Sequence, residues 1–509
     1  MTMRRFLPLL LLVLCTLNTL PLIADDTSPT ALYNEACRLA LAGQPEEAFA
    51  KLQQAAEKGW SNADHAQKDS DLASLRNDPR WEPLMASLNA RAAAEAKKWN
   101  NPTLVTPYRD DISEEEKIAG LSRVWSEVRF NFANFDLVPD VDWDALYLAA
   151  IPRVRATKST LEYYQVLTEL VAKLRDGHTG VAPPQDQWDR VWAMPPTRQQ
   201  WVGGRMLFTD ATPAAGVRAG DEILAIDGQP WLQYAASRVI PYLSASTSQD
   251  LENRIGFSLL AGQAGTKINV TVRDAKGAVS NVQLEREPRG KRTLAPRAPF
   301  ELRMLPGNIA YVALNDFSTD AAADEYDRRF DEIAKASAII IDLRRNGGGN
   351  TNVGYRVLST LIDKRFQTTK AQKIVYRPTD RARSIAQGAE FEEGSISPDP
   401  KGRHYTKPVA VLIGAATYSA AEDFGVAWKL SKRGPAIGTA TGGSTGQPLL
   451  IKLPGGGSFR ICTKRDRFAT GEEFVGVGIQ PDIEVRTTVE DVQAGRDAVL
   501  ERAIAEVTK

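Results

Sequence analysis

His65, His178 and His404 are the only histidines in a chain of 509 residues, so an imidazole-based site has few places to form. His178 stands directly after Asp176-Gly177, where a helical pattern carrying Tyr164, Leu167, Val171 and Leu174 meets a glycine stop. An imidazole titrates near neutral pH and can serve as a general base, whereas a lysine in that role must first be strongly desolvated. Ser419 lies where a buried apolar run, Val409 to Ile413, passes into a helical pattern with Ala421, Phe424, Val426 and Ala427. A serine there has a helix N-terminus behind it, which favours negative charge developing nearby. Gly347-Gly348-Gly349 follow a second apolar run, Ala338 to Leu343, and leave backbone N–H groups open to close approach by a ligand atom. Taken singly, each feature has an ordinary structural reading: an N-cap serine, a glycine loop, a helix-terminal histidine. A phosphate cradle lacks its GxxxxGK[ST] pattern and its lysine.

The remaining chemistry is narrow. Cys37 and Cys462 lie far apart with no CxxC or Cys/His spacing, which argues against a zinc site or a disulfide scaffold, and two unrelated buried thiols are expected. No metal or cofactor is expected. Lys+Arg and Asp+Glu both count 63, so there is no basic excess to attract nucleic acid.

The elements that must position these residues follow from patterning. Arg4-Arg5 and the apolar run Phe6 to Cys15 read as a signal peptide over residues 1–24, predicting an exported chain, periplasmic or secreted, without stable membrane insertion. Residues 27–98 are helical: Leu32, Cys37, Leu39 and Ala40 form one face, Gly43-Gln44-Pro45 break it, and Ala48, Leu52 and Ala55 resume it. This hairpin has a tetratricopeptide-like spacing, but one repeat cannot bury its own face, so a helical cap is the simpler expectation. A second helical region spans 110–195, opened by a Ser113/Glu116 capping box and continued by Ile118, Leu121, Trp125, Val128 and Phe132. Residues 196–288 have β character, with Ile268, Val270 and Val272 alternating before an Asp274–Gly277 turn. From 296 to 500, strands alternate with helices, predicting an α/β core with crossovers and a buried sheet whose ligands sit at the strands' carboxyl ends.

The string AAGVRAGDEILAIDGQP (214–230) resembles a PDZ domain of the bacterial protease type. LRDGHTGV (174–181), IIIDLRRNGGGN (339–350), ATYSAAEDF (416–424) and GVGIQPDIEV (476–485) together resemble the tail-specific and tricorn-type serine peptidase family, over about residues 113–490. That resemblance implies a crotonase-like core with an inserted PDZ-like domain, and a serine endopeptidase acting on extended or unfolded polypeptides. It implies Ser419 as nucleophile, and an oxyanion hole from the N–H of Ala420 with Gly347 or Gly348. In the C-terminal-processing branch a lysine is the base, but its position here reads Ser444. The tricorn branch uses a histidine, which makes His178 the expected base. The serine that precedes that histidine in the tricorn pattern is Gly177 here. The family's late glutamate falls near Val475, leaving Glu472 or Glu473 as the orienting acid. Asp342 and Glu422 are expected to be structural, and Asp176 either structural or part of the site. A non-catalytic peptide- or ligand-binding protein on the same fold is the alternative.

Overall fold

Ser28 opens the first described helix by accepting a hydrogen bond from the Ala31 N–H, and the computed structural model describes residues 28–509 from there. The expected signal peptide, residues 1–24, lies outside them. The chain divides into two compact units, the first ending at Asn101. In that unit α1 (Pro29–Leu41) and α2 (Pro45–Glu57) are separated at Gly43, whose φ of +72° suits a residue without a Cβ. α3 (Ala63–Lys68) and α4 (Trp81–Trp99) follow. The sequence predicts helix from Asp71 onward, but a short 3₁₀ turn over Ser70–Leu75 comes first and α4 begins only at Trp81, after Pro79 has disfavoured helical geometry at Asp78. Leu32, Ala36, Phe49, Leu52, Leu72, Trp81 and Met85 are buried in one apolar cluster.

The second unit begins at Pro102. α5 (Glu114–Asn131) starts with the reciprocal Ser113/Glu116 capping box, and α6 (Trp143–Ala156) and α7 (Thr160–Ala172) pack on it through Leu121, Val128, Trp143, Tyr163 and Leu167. After α7 the chain turns through Asp176–His178 into the short β1 (Gly180–Ala182). An antiparallel sheet comes next, from β2 (Thr197–Val202), β3 (Arg205–Ala211), β4 (Glu222–Ile226), β5 (Gln229–Pro230), β6 (Lys267–Arg273) and β7 (Val279–Glu285). Between β5 and β6 lie α8 (Trp231–Arg238) and α9 (Ser248–Ser258). Alternation along β6 puts Ile268, Val270 and Val272 into its core with Phe208, Ile223 and Leu284.

The rest of the unit is an α/β layer: β8 (Phe300–Leu305), β9 (Ile309–Leu314), α10 (Ala321–Ile333), β10 (Ala338–Asp342), α11 (Thr351–Ser359), β11 (Phe366–Val375), α12 (Pro378–Ala382), β12 (Gly388–Ile396), β13 (Val409–Ile413), α13 (Ala420–Ser431), β14 (Ala436–Gly438), β15 (Pro448–Lys452), β16 (Ser458–Cys462), β17 (Lys464–Phe468), β18 (Ile483–Glu484), α14 (Val489–Ala494) and α15 (Ala498–Val507). The central sheet runs β18-β14-β13-β10-β9-β8, with every pair parallel except β8 with β9. Both its faces are covered, which is why β10 and β13 read as continuous apolar runs. Ile339, Ile341, Val411 and Ile413 face Phe424 and Trp428, while Ile340, Ala410 and Leu412 face Val499 and Ala503 of α15. A small sheet, β1-β16-β15, ties the segment after His178 to this half of the molecule. Among the described residues no helix is long and apolar enough to cross a membrane.

Candidate active site

Two strand ends create the site. Beyond β10 the chain turns at Asn346, which is fully buried. Its Nδ2 donates to Leu314 O (2.9 Å), its Oδ1 accepts from Gly348 N (2.9 Å) and its carbonyl accepts from Tyr418 N (3.0 Å). Through its side chain and its carbonyl together, this one residue joins the ends of β9 and β10 to the turn after β13. Beyond β13, Thr417 Oγ1 donates to Leu343 O (2.9 Å) and accepts from Gly414 N (3.0 Å), fixing the second turn. Ser419 then adopts φ +56°, ψ −125°, an uncommon backbone for an L-residue, at the N-terminus of α13.

His178 reaches the same point from the helical half. Its Nε2 lies 3.0 Å from Ser419 Oγ and its Nδ1 2.8 Å from Ser444 Oγ. For Nε2 to take a proton from Ser419, Nδ1 must carry the ring hydrogen and donate it to Ser444. Burial, reinforced by the positive charges of Arg460, Arg254 and Lys464, lowers the ring's pKa to about 3. The imidazole is therefore neutral, and free to accept, far below the 6.5 of an exposed histidine. Tyr418 stacks on the ring with centroids 5.2 Å apart. The backbone at His178 is held by Asp176, whose Oδ1 accepts from His178 N (2.9 Å) and from Thr179 Oγ1 (3.0 Å). Asp176 thus bonds the main chain of His178 and not its ring.

Glu472 and Glu473 are not brought to the ring. Both are exposed, Glu473 pairs with Arg467 at 2.9 Å, and both ring nitrogens of His178 are occupied by serine hydroxyls. Glu422, fully buried, lies one helical turn from Ser419 instead. Its Oε1 accepts from Thr441 Oγ1 (2.6 Å) and Gly443 N (2.8 Å), and its Oε2 from Ser444 N (3.0 Å) and Ser419 N (3.2 Å). Burial pushes its pKa up to about 7 against the pull of these donors. Glu422 thus fixes the backbone of both serines that contact His178. The serine–x–x–glutamate spacing of residues 419–422 was the available signal for it. Ser444 gave no local signal, because its partner is 266 residues away.

Of the expected N–H donors, Gly348 already donates to Asn346, whereas Ala420 N and Gly347 N have no acceptor among the described residues. A Cβ on Gly348 would come 2.6 Å from Ser419 Cβ, so the glycine turn presses directly on the serine turn. Gly177 is equally constrained: a Cβ there would meet Tyr418 Oη at 1.8 Å, so a serine does not fit beside Tyr418. Among the described residues the one grouping of metal-ligand type is Cys37, Asp69 and Asp71 in the first unit, where Asp69 already accepts from Tyr33 Oη at 2.7 Å. Cys37 and Cys462 are both free and buried.

Residues 308–485 match the model of Peptidase family S41. The chain is 27% identical over 285 residues to the chloroplastic C-terminal processing peptidase of Tetradesmus obliquus, covering 53% of each protein. It is 25% identical over 273 residues to the carboxy-terminal processing protease CtpA of Bacillus subtilis, covering 53% of this chain and 50% of that one. Putative tricorn protease homolog 2 of Streptomyces coelicolor is 24% identical over 392 residues, 72% of this chain and 30% of that one. The chain spans about half the length of the two processing peptidases. In fold it is similar to mature CPAF complexed with lactacystin, with a TM-score of 0.61 at 17% identity over 77% of this chain and 98% of that one. The stretch that matches peptidase family S41, residues 308–485, holds both the glycine turn and Ser419.

Proposed function

We propose that this chain is a serine endopeptidase that hydrolyses peptide bonds in extended or unfolded polypeptides, with Ser419 as nucleophile and His178 as general base. The observation that carries this reading is the 3.0 Å approach of His178 Nε2 to Ser419 Oγ, between segments 241 residues apart. Ser419 Oγ attacks the substrate carbonyl carbon while its proton passes to Nε2. The oxyanion that forms is received by the N–H of Ala420 and an N–H of the glycine turn, Gly347 being the one left open by Asn346. Collapse breaks the C–N bond, and His178 returns the proton to the leaving amine. Water then repeats the sequence on the acyl-enzyme and releases the acid. Ser444 receives the Nδ1 hydrogen and holds the ring in the required tautomer, while Glu422 holds Ser444 and Ser419. The orienting group is thus a hydroxyl and not a carboxylate.

The finer architecture belongs to the same proposal. The layer within residues 296–500 is read as a crotonase-like core, and the sheet within 196–288 as a PDZ-like domain that captures a chain by strand addition at an edge. Residues 27–98 are read as a helical, tetratricopeptide-like region, 110–195 as the helical part of the peptidase, and 1–24 as a leader for export to the periplasm or beyond.

The test is labelling by a fluorophosphonate probe, mapped to Ser419 and absent in Ser419→Ala. His178→Ala should lower kcat by about 10³-fold or more in folded protein, the order seen when a triad member is removed elsewhere. A folded protein that neither labels nor cleaves supports the non-catalytic binder instead. The pH profile gives a second measurement. Because the ring's pKa is depressed to about 3, kcat/KM should show no acid limb between pH 5 and 8 from this group. A limb centred near 6.5 indicates that the ring is solvated in the free enzyme. The same shift makes stability rise with pH between about 3 and 6.5, because the unfolded state binds the extra proton there; that contribution is complete above 6.5 and disappears toward 3.

A further inference from the structure

Three cations surround His178, and two of them are neutralised where they stand. Arg254 Nε lies 2.7 Å from Asp250 Oδ1, and Lys464 Nζ lies 3.1 Å from Asp466 Oδ1. Arg460 differs: among the described residues no carboxylate lies within 4.0 Å of its guanidinium, whose hydrogen bond goes to the carbonyl of Gly177 (Nη2 to O, 3.2 Å), the residue just before His178. Strand register puts it there. β16 pairs antiparallel with β1, and Arg460 stands opposite Gly180. Its strand neighbours Phe459 and Ile461 are buried on one face, so Arg460 projects from the other and is exposed. A guanidinium has five donors in a planar fork that matches a carboxylate, and most of this fork is unused.

We propose that Arg460 is a specificity residue that binds a carboxylate of the polypeptide substrate, either a free C-terminus or an Asp or Glu side chain, beside the bond to be cut. The inference rests on the peptidase reading and names its substrate class. It also has a kinetic consequence. A cation near His178 with no carboxylate paired to it disfavours the imidazolium that forms as Ser419 loses its proton. A substrate carboxylate on Arg460 offsets that charge, so such a substrate gains in kcat as well as in KM.

The experiment uses matched internally quenched peptides in two pairs: Glu against Gln next to the scissile bond, and free-acid against amidated C-terminus. Wild type should prefer the acid member of one pair by about 10- to 100-fold in kcat/KM, the range for a hydrogen bond to a charged group. The pair that discriminates identifies the source of the carboxylate. Arg460→Gln should bring that ratio close to one. A wild-type ratio near one in both pairs overturns the proposal, as does a ratio that survives Arg460→Gln. If Arg460→Gln does not fold, Arg460→Lys keeps the charge without the fork and should shrink the ratio; an unchanged ratio there also overturns it. Fluorescence anisotropy of the same peptides on Ser419→Ala separates the two readings. Preference for the acid peptide, lost on adding Arg460→Gln, supports carboxylate recognition even if wild type cleaves neither peptide.

Discussion

The turn after β10 and the turn after β13 leave the same sheet in the same direction and meet at Ser419, yet they reach unusual backbone angles by opposite means. The first uses glycines, Gly348 at φ +96° and Gly349 at φ +139°, and a Cβ on Gly349 would lie 2.1 Å from the carbonyl carbon of Phe317. The second holds a serine at φ +56°, a conformation that costs an L-residue of order 1–3 kcal/mol and persists only when its surroundings fix it. Those surroundings are present: Asn346 holds Tyr418 N, Thr417 bonds Leu343 and Gly414, and Glu422 holds Ser419 N. The difference follows from what each turn supplies. One offers bare main chain and gains by having no side chain; the other must present a hydroxyl and so retains strain.

Crossing the two solutions should have the largest effect. Gly348→Ala places a methyl group 2.6 Å from Ser419 Cβ and 2.7 Å from Tyr418 O, so one turn must move off the other. Loss of alignment between the glycine turn and Ser419 should reduce kcat/KM by about 10²- to 10³-fold, the scale of losing one oxyanion donor. A lower melting temperature should accompany it. Near-native turnover would show that the two turns act independently.

The opposite exchange, making the serine turn resemble the glycine turn, separates strain from chemistry. Ser419→Ala and Ser419→Gly should both be inactive, but only glycine relieves the positive φ. Part of that relief is offset by the greater freedom of glycine in the unfolded chain. Ser419→Gly should therefore be more stable than Ser419→Ala by about 1 kcal/mol in urea unfolding. Equal stabilities would mean that Ser419 is not strained.

Both turns were readable in the sequence because they follow continuous apolar strands, Ala338–Asp342 and Val409–Ile413, and contain residues that mark their own geometry. The helix stop expected at Gly177 lies elsewhere: α7 ends at Ala172, and Arg175, not Gly177, holds the positive φ, +47°. The partner of His178 Nδ1 was not. Ser444 lies in irregular backbone after β14, where neither a 2- nor a 3.6-residue period operates, and the contact spans 266 residues. The expectation of Glu472 or Glu473 came from their place in the chain, whereas Glu422 was expected to be only structural. Physically, the first turn of the helix beginning after Ser419 is where a buried carboxylate can reach the main chain of both serines. β12 was missed as well, since its residues are largely exposed and polar and carry no apolar alternation.

The smallest effect is expected at the far end of α13, where Lys432 also holds a positive φ, +53°, as the helix's left-handed C-terminal residue. It is exposed, and its main-chain N–H makes only a long bond to Lys429 O, 3.4 Å. Ser419 and Lys432 thus bracket one helix with two non-glycine residues in strained backbone, one presenting a group to the site and one presenting nothing to it. Glycine is the preferred residue at such a helix end, so Lys432→Gly should gain about 0.5–1 kcal/mol in urea unfolding. Peptide turnover should stay within about twofold, because a surface change this far from the mechanism removes no contact that the reaction uses. If stability rises and turnover is unchanged, strain at Lys432 is a local cost of ending a helix without glycine, and strain at Ser419 stands apart as the one tied to chemistry. If turnover falls while the protein becomes more stable, the C-terminal end of α13 influences how Ser419 is held, and the two ends of the helix must be treated as one device.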